Sequence, residues 1–331
     1  LKSSRLLFLS MTALCSLALA DVPQHGASIG DPALKGRFTT IREPSGVTML
    51  DAQTLIVVED EASHALRRLE VSASDPLHFR FQEFDQRPAK GFIQRQQIGP
   101  LDDLEGIARV SSNQYIIIGS HENASRGKLP AREKIVLLTR DGADVTSTAI
   151  RYDLFDQLAK RYPELAKIVE GSKKGGKNAL NIEAIAFDRK RQVLQIGLRA
   201  PLLDNNAIVI SLDNSIDYLE GAEPEFSSTL RTIDLGKNGI RAMAYDDLSD
   251  TYFIIGKQES GGKNRSTLWT LSATLNTVPV RYESDKKSLF DDVEGLSPIS
   301  GGVLFVRDNG GKVNNDDQWF ILTRSQLGLY N

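Results

Sequence analysis

Beyond residue 20 this chain has no cysteine: the only one among 331 residues is Cys15. With no thiol left to pair, such a fold has to be held by its core and its hydrogen bonds alone. Histidine is scarce and scattered, at positions 25, 64, 78 and 121, so no imidazole zinc cluster is visible. There is no Gly-x-Ser-x-Gly elbow, which counts against an α/β-hydrolase mechanism. No later stretch approaches the roughly eighteen apolar residues that a spanning helix needs. An excess of positive charge is missing too. Setting Lys2 and Arg5 aside leaves 38 basic residues against 43 acidic ones, with no basic stripe, so nucleic acid is excluded as an expected partner.

The start of the chain is of a different kind. Lys2 and Arg5 precede an apolar run from Leu6 to Ala20, which closes on Ala18, Leu19 and Ala20 before Asp21. A short positive start, a short apolar core and a small-x-small end make a cleaved export signal. Leu14 before Cys15 argues against lipidation. The expectation is a signal peptide at 1–20, a mature chain in the bacterial periplasm or secreted, and no membrane insertion after cleavage.

What the mature part does have is a repeat, which should be sought before any local assignment. Five similar segments begin at Pro44 (PSGVTM), Leu104 (LEGIAR), Ile182 (IEAIAF), Ile240 (IRAMAY) and Val293 (VEGLSP). Each is followed by a turn and a second apolar strand: TLIVVED (54–60), QYIIIGSH (114–121), QVLQIGLR (192–199), TYFIIGK (251–257) and GVLFVRD (302–308). A third strand follows every time and a fourth in four of the five units. β-Branched and aromatic content favours strand over helix. The fifth unit runs out of chain, but RFTTI (37–41) precedes the first unit and is expected to complete it. The predicted fold is therefore all-β, a five-bladed β-propeller of four-stranded blades closed by an N-terminal strand. Its expected bounds are 37–331, after an N-terminal segment at 21–36. A helical insertion is expected at about 153–177, broken near Pro163 and ending in the basic loop GSKKGGK. It reads as a cap on the rim or a lid over the channel.

Propeller geometry brings the first positions of the inner strands and the ends of the second strands to one channel mouth. The inner positions are Ser45, Glu105, Glu183, Arg241 and Glu294; the strand ends add Asp60, His121, Arg199, Lys257 and Arg307. Three converging glutamates repel one another unless a cation intervenes. Either Glu105, Glu183 and Glu294 hold a hard metal such as Ca²⁺, or Arg199, Arg241 and Arg307 neutralise them and also meet an anionic ligand. A third reading is structural, with the Glu-Gly steps serving close approach of the blades near the axis. The Gly-Gly-Lys copies at 175–177, 261–263 and 310–312 lack the rest of a phosphate-binding loop.

The stretches around Asn181–Asp188, Ile196–Leu202 and Asn206–Leu212, with the Asp103–Ala108 and Asp292–Leu296 copies, resemble a family of bacterial exported proteins catalogued as a domain of unknown function. They are also similar to the esterase-like or phytase-like propellers. The first resemblance implies a propeller without an established activity. The second implies a calcium-dependent hydrolase of phosphate esters or esters, with Glu105, Glu183 and Glu294 as metal carboxylates. Arg241 and Ser45 depart from that glutamate pattern. The expected function is binding of a small anionic ligand or an envelope protein at the charged mouth, through Arg199, Arg241, Arg307, Lys257, His121 and Asp60. The alternative is a metal-dependent hydrolase of phosphate esters, esters or lactones.

Overall fold

The computed structural model describes residues 24–38, 41–60, 66–71, 81–83, 103–122, 130–142, 144–170, 179–258, 265–286, 289–308 and 317–329. The expected signal peptide, the 85–101 loop, GSKKGGK and all three Gly-Gly-Lys copies lie outside the described residues. So do Thr39 and Thr40 of the expected closing strand.

Five sheets stand around one axis. Blade one is β3 (Pro44–Asp51), β4 (Thr54–Glu59), β5 (Leu66–Val71) and β6 (Phe81–Glu83). Blade two is β7 (Leu104–Arg109), β8 (Gln114–Gly119), β9 (Ile135–Asp141) and β10 (Asp144–Arg151). Blade three is β11 (Asn181–Asp188), β12 (Val193–Ala200), β13 (Ala207–Leu212) and β14 (Arg231–Ile233). Blade four is β15 (Gly239–Asp246), β16 (Thr251–Lys257), β17 (Ser266–Ser272) and β18 (Val280–Ser284). Blade five is β19 (Val293–Ile299), β20 (Gly302–Arg307) and β21 (Trp319–Thr323). The innermost strands β3, β7, β11, β15 and β19 contact one another in cyclic order, which makes the chain a five-bladed propeller.

The ring closes through an N-terminal strand, but three residues earlier than expected. β2 (Leu34–Gly36) pairs antiparallel with β21 and supplies the fourth strand of blade five. Nor is the segment before it outside the propeller. β1 (Gln24–Ile29) adds a parallel fifth strand to blade four through β18. Ile29 is buried there among Phe253, Leu268 and Tyr282. Both additions cover strand edges that would otherwise be open.

Aspartates organise the turns from inner to second strand. Asp51 Oδ1 accepts from the Gln53 N–H, Asp188 Oδ1 from those of Lys190 and Arg191, and Asp246 Oδ2 from that of Ser249. These side-chain bonds replace a backbone turn and fix each hairpin. Where blade five turns at Gly301, φ is 82°, a conformation that glycine adopts without a Cβ clash.

The helical insertion forms α1 (Leu154–Arg161) and α2 (Pro163–Glu170), parted at Pro163 as the sequence suggests. Leu154, Leu158, Tyr162, Leu165 and Val169 are buried in the core between blades two and three. The Tyr162 hydroxyl donates to the Ser227 carbonyl at 2.9 Å. A third helix, α3 (Ser215–Leu219), sends Tyr218 into the same core. The two described helices of the insertion brace the rim.

Candidate functional site

Each inner strand starts with the same irregularity. The pairing with the second strand skips one residue between Pro44 and Gly46, Leu104 and Gly106, Ile182 and Ala184, Ile240 and Ala242, and Val293 and Gly295. The skipped residues are Ser45, Glu105, Glu183, Arg241 and Glu294. A β-bulge leaves its extra residue out of the ladder and re-aims its side chain. The five bulges thus present this ring to the axis, and all five residues are buried.

Small residues follow the bulges because the blades nearly touch there. A Cβ on Gly295 would lie 2.9 Å from Gly46 Cα in the next blade, and one on Gly46 would lie 3.3 Å from Gly106 Cα. Ser45 is bound to the scaffold as well, its hydroxyl donating to the Leu104 carbonyl at 2.5 Å.

Two of the three glutamates in the ring are neutralised by arginine. Glu183 accepts from Arg241 Nη1 at 2.7 Å, from Asn181 Nδ2 at 3.0 Å and from Arg199 Nη1. The other Arg241 terminal nitrogen, Nη2, pairs with Glu294. One guanidinium from blade four therefore ties blade three to blade five. Arg307 is placed differently. It donates to the Leu289 carbonyl at 2.5 Å and the Asp317 carbonyl at 3.1 Å, and lies 4.6 Å from the Phe320 ring centre. These contacts hold it against the loops and third strand of its own blade.

Glu105 makes no hydrogen bond or ion pair with its carboxyl among the described residues. Burial pushes its pKa well above the usual carboxylate range, the Glu183 charge adds to this, and Arg241 opposes it. Asp103 and Asp60 raise it further. Asp103 adopts a left-handed φ of 60°, pairs with Arg132 at 3.0 Å and accepts from the Ser120 hydroxyl. Glu122, half-exposed, is also raised by burial and by Asp103.

His121 sits at the end of the blade-two second strand with φ 54° and is buried. Its Nδ1 lies 2.9 Å from the Gly119 carbonyl, which can only accept, so Nδ1 carries the proton. Nε2 is buried with no partner. Burial lowers its pKa to about 4, so the ring is neutral.

Lys257 completes the picture. Half-buried at the end of β16, it has its pKa lowered by burial, then by Arg241 and Arg199, with Glu183 and Asp292 pulling the other way. Its ammonium has no hydrogen-bond or ion-pair partner among the described residues. The mouth is thus polarised. Asp60, Asp103, Glu105 and Glu122 lie on blades one and two, and Arg199, Arg241 and Lys257 on blades three and four.

Ca²⁺ does not fit the glutamate ring. Both Glu183 oxygens face arginine, Glu294 is held by Arg241, and no three His, Cys, Asp or Glu among the described residues are grouped so as to hold a metal. Free space inside the ring is about 10 Å³, room for one water at most. Below it, Val47, Ile107, Ile185, Met243 and Leu296 line both this space and a separate cavity at the far end. They plug the channel.

Fold and mouth together define a five-bladed propeller with an arginine–glutamate cluster joining three of its blades at the mouth. Residues 124–256 match the family model described as Protein of unknown function (DUF3616). That agrees with the first of the two resemblances and lends nothing to the esterase-like one. Among solved structures, the Bacteroides ovatus Xyloglucan PUL GH43B is similar at 11% identity and a TM-score of 0.46, over 88% of this chain and 53% of its own. The chain thus spans about half the length of that protein. No curated protein matches.

The sequence named Glu183, Arg199 and Arg241, and the structure brings them together. It missed the bulges, which leave no mark in composition, and the solitary state of Lys257, which depends on three blades at once.

Proposed function

We propose that the propeller binds a small carboxylated or phosphorylated ligand at this mouth, seated on Lys257 beside Arg199 and Arg241. One observation carries the reading: a half-buried ammonium stands next to two guanidiniums without a hydrogen-bonding partner among the described residues. Cations crowded in this way gain from an incoming anion, whose charge-assisted bonds are stronger where water is partly excluded. The ligand rests above the ring, because the ring itself is full. The acidic half, with Glu122 and Asp103, offers acceptors to hydroxyl or ammonium groups on the same ligand.

The reading extends to location. Lys2, Arg5 and the apolar run to Ala20 support export to the periplasm or beyond, with Asp21 as the first residue of the exported chain. N-terminal sequencing of the exported protein tests this.

Calorimetric titration with inorganic phosphate and citrate tests the site. Lys257→Ala is expected to weaken binding about tenfold or more, with nearly the same melting temperature. No heat from any anion with the wild-type protein sinks the reading. Equal binding by Lys257→Ala moves the ligand elsewhere.

A further inference from the structure

The far end of the channel holds a second cavity, of about 110 Å³. It opens where the innermost strands end, on the other side of the apolar plug. Its floor is the plug itself. Next come Met49 and Phe187, two residues further along their strands than the plug residues Val47 and Ile185 and so on the same strand face. Among the described residues, the only charged ones in its lining are Arg109 and Arg189, both cationic and both at the strand ends.

Neither arginine is saturated. Arg109 Nε donates to the Ser111 carbonyl at 3.0 Å, while Nη1 and Nη2 have no hydrogen-bond partner among the described residues. Arg189 Nη2 pairs with Asp247, leaving Nε and Nη1 without one. Asp247 is spent on Arg189, and the other nearby carboxylates are engaged elsewhere. Asp246 accepts from Arg324 at 2.9 Å, and Asp250 from Arg191 and the Tyr245 hydroxyl. Burial, and then Arg109, lowers the Arg189 pKa, as expected where a second guanidinium shares a partly buried space.

An apolar floor under a cationic rim selects for an amphipathic anion. We propose that this cavity binds a small carboxylate with an apolar body, its head on Arg109 and Arg189 and its body against Met49, Phe187 and Met243. A planar carboxylate matches the free Nη edge of Arg109 with two parallel bonds. A dry cavity of about 150 Å³ holds benzene. This one therefore takes a short aliphatic chain or part of a ring, with the head at the open end.

Titration calorimetry of the mature chain with acetate, butyrate, hexanoate and benzoate tests the site. Affinity is expected to rise up to about fourfold for each methylene buried. Arg109→Gln is expected to weaken hexanoate about tenfold, and to do so equally in a Lys257→Ala background, where the upper mouth is disabled and any heat left comes from this cavity. Arg109→Lys, which keeps the charge and loses the two-pronged geometry, is expected to fall between. Affinity independent of chain length overturns the proposal, as does no binding by the wild-type chain. Loss in Lys257→Ala with none in Arg109→Gln also overturns it, by placing the carboxylate at the upper mouth.

Discussion

Arg241 Nη1 lies 2.7 Å from Glu183 Oε2, although the two residues belong to different blades. With Glu294 on its other terminal nitrogen, Arg241 stands at the centre of a buried charge cluster spanning three blades. Arg241→Met keeps most of the volume, strands the buried Glu294 carboxylate and leaves Glu183 with Arg199 and Asn181. The expected loss is about 3 kcal/mol or more, read as a lower urea midpoint. Adding Glu294→Gln is expected to recover part of it. A midpoint equal to wild type for the single variant means the cluster contributes nothing.

Glu105 makes stability fall with rising pH. Its folded pKa is raised, so the unfolded chain loses this proton first. The contribution is whole below the ordinary carboxylate value and is lost as pH rises through the folded one. Glu105→Gln cannot ionise. It is expected to melt like wild type near pH 4 and about 2–6 °C higher near pH 8. Parallel pH profiles for the two proteins would falsify the assignment.

His121 acts in the opposite direction. Its pKa drops from 6.5 to about 4 on folding, so its contribution is present above 6.5 and lost as pH falls towards 4. The loss is on the order of 3 kcal/mol at most. His121→Asn suits the left-handed backbone and does not titrate. Chemical denaturation between these pH values is expected to show a flatter acid limb for the variant.

Gly295→Ala tests the contact between the blades. The added methyl would meet Val306 Cγ2 at 2.7 Å as well as the Gly46 backbone. Backbone yields poorly, and a cost of about 1–3 kcal/mol is expected. An unchanged thermal midpoint would mean that blades one and five can part without cost.

A ring filled by Arg241 leaves no room for calcium between its glutamates. Chelation, followed by added Ca²⁺, is expected to leave the melting temperature unchanged. A saturable rise with Ca²⁺ would show native-state binding and reopen the glutamate ring as a metal site.

Much of this architecture is legible in the sequence, because a repeated strand pattern with aspartate turns is a local signal. The Glu-Gly steps at 105–106 and 294–295 also announce the close approach of the blades. The strand at Gln24–Ile29 was not legible: its parallel pairing with β18 joins residues about 250 apart through a register that composition does not encode. RFTTI, the strand-like segment just before the first unit, is where the sequence points for the closing strand, yet Leu34–Gly36 pairs instead. Arg307 shares the strand-end position of Arg199, but Phe320 and two carbonyls capture it. Period-two counting from Ile107 and Ile185 reaches Arg109 and Phe187, so part of the far cavity could have been found by extending the ring pattern along each strand.

The plug of Val47, Ile107, Ile185, Met243 and Leu296 turns the axis of this molecule into two cups set base to base. Whatever enters one cup leaves by the same rim, and neither guest meets the other. With both proposed ligands in place the protein would face two different solutes at once, and a change in the side chains of one cup would alter its guest without being felt across the floor.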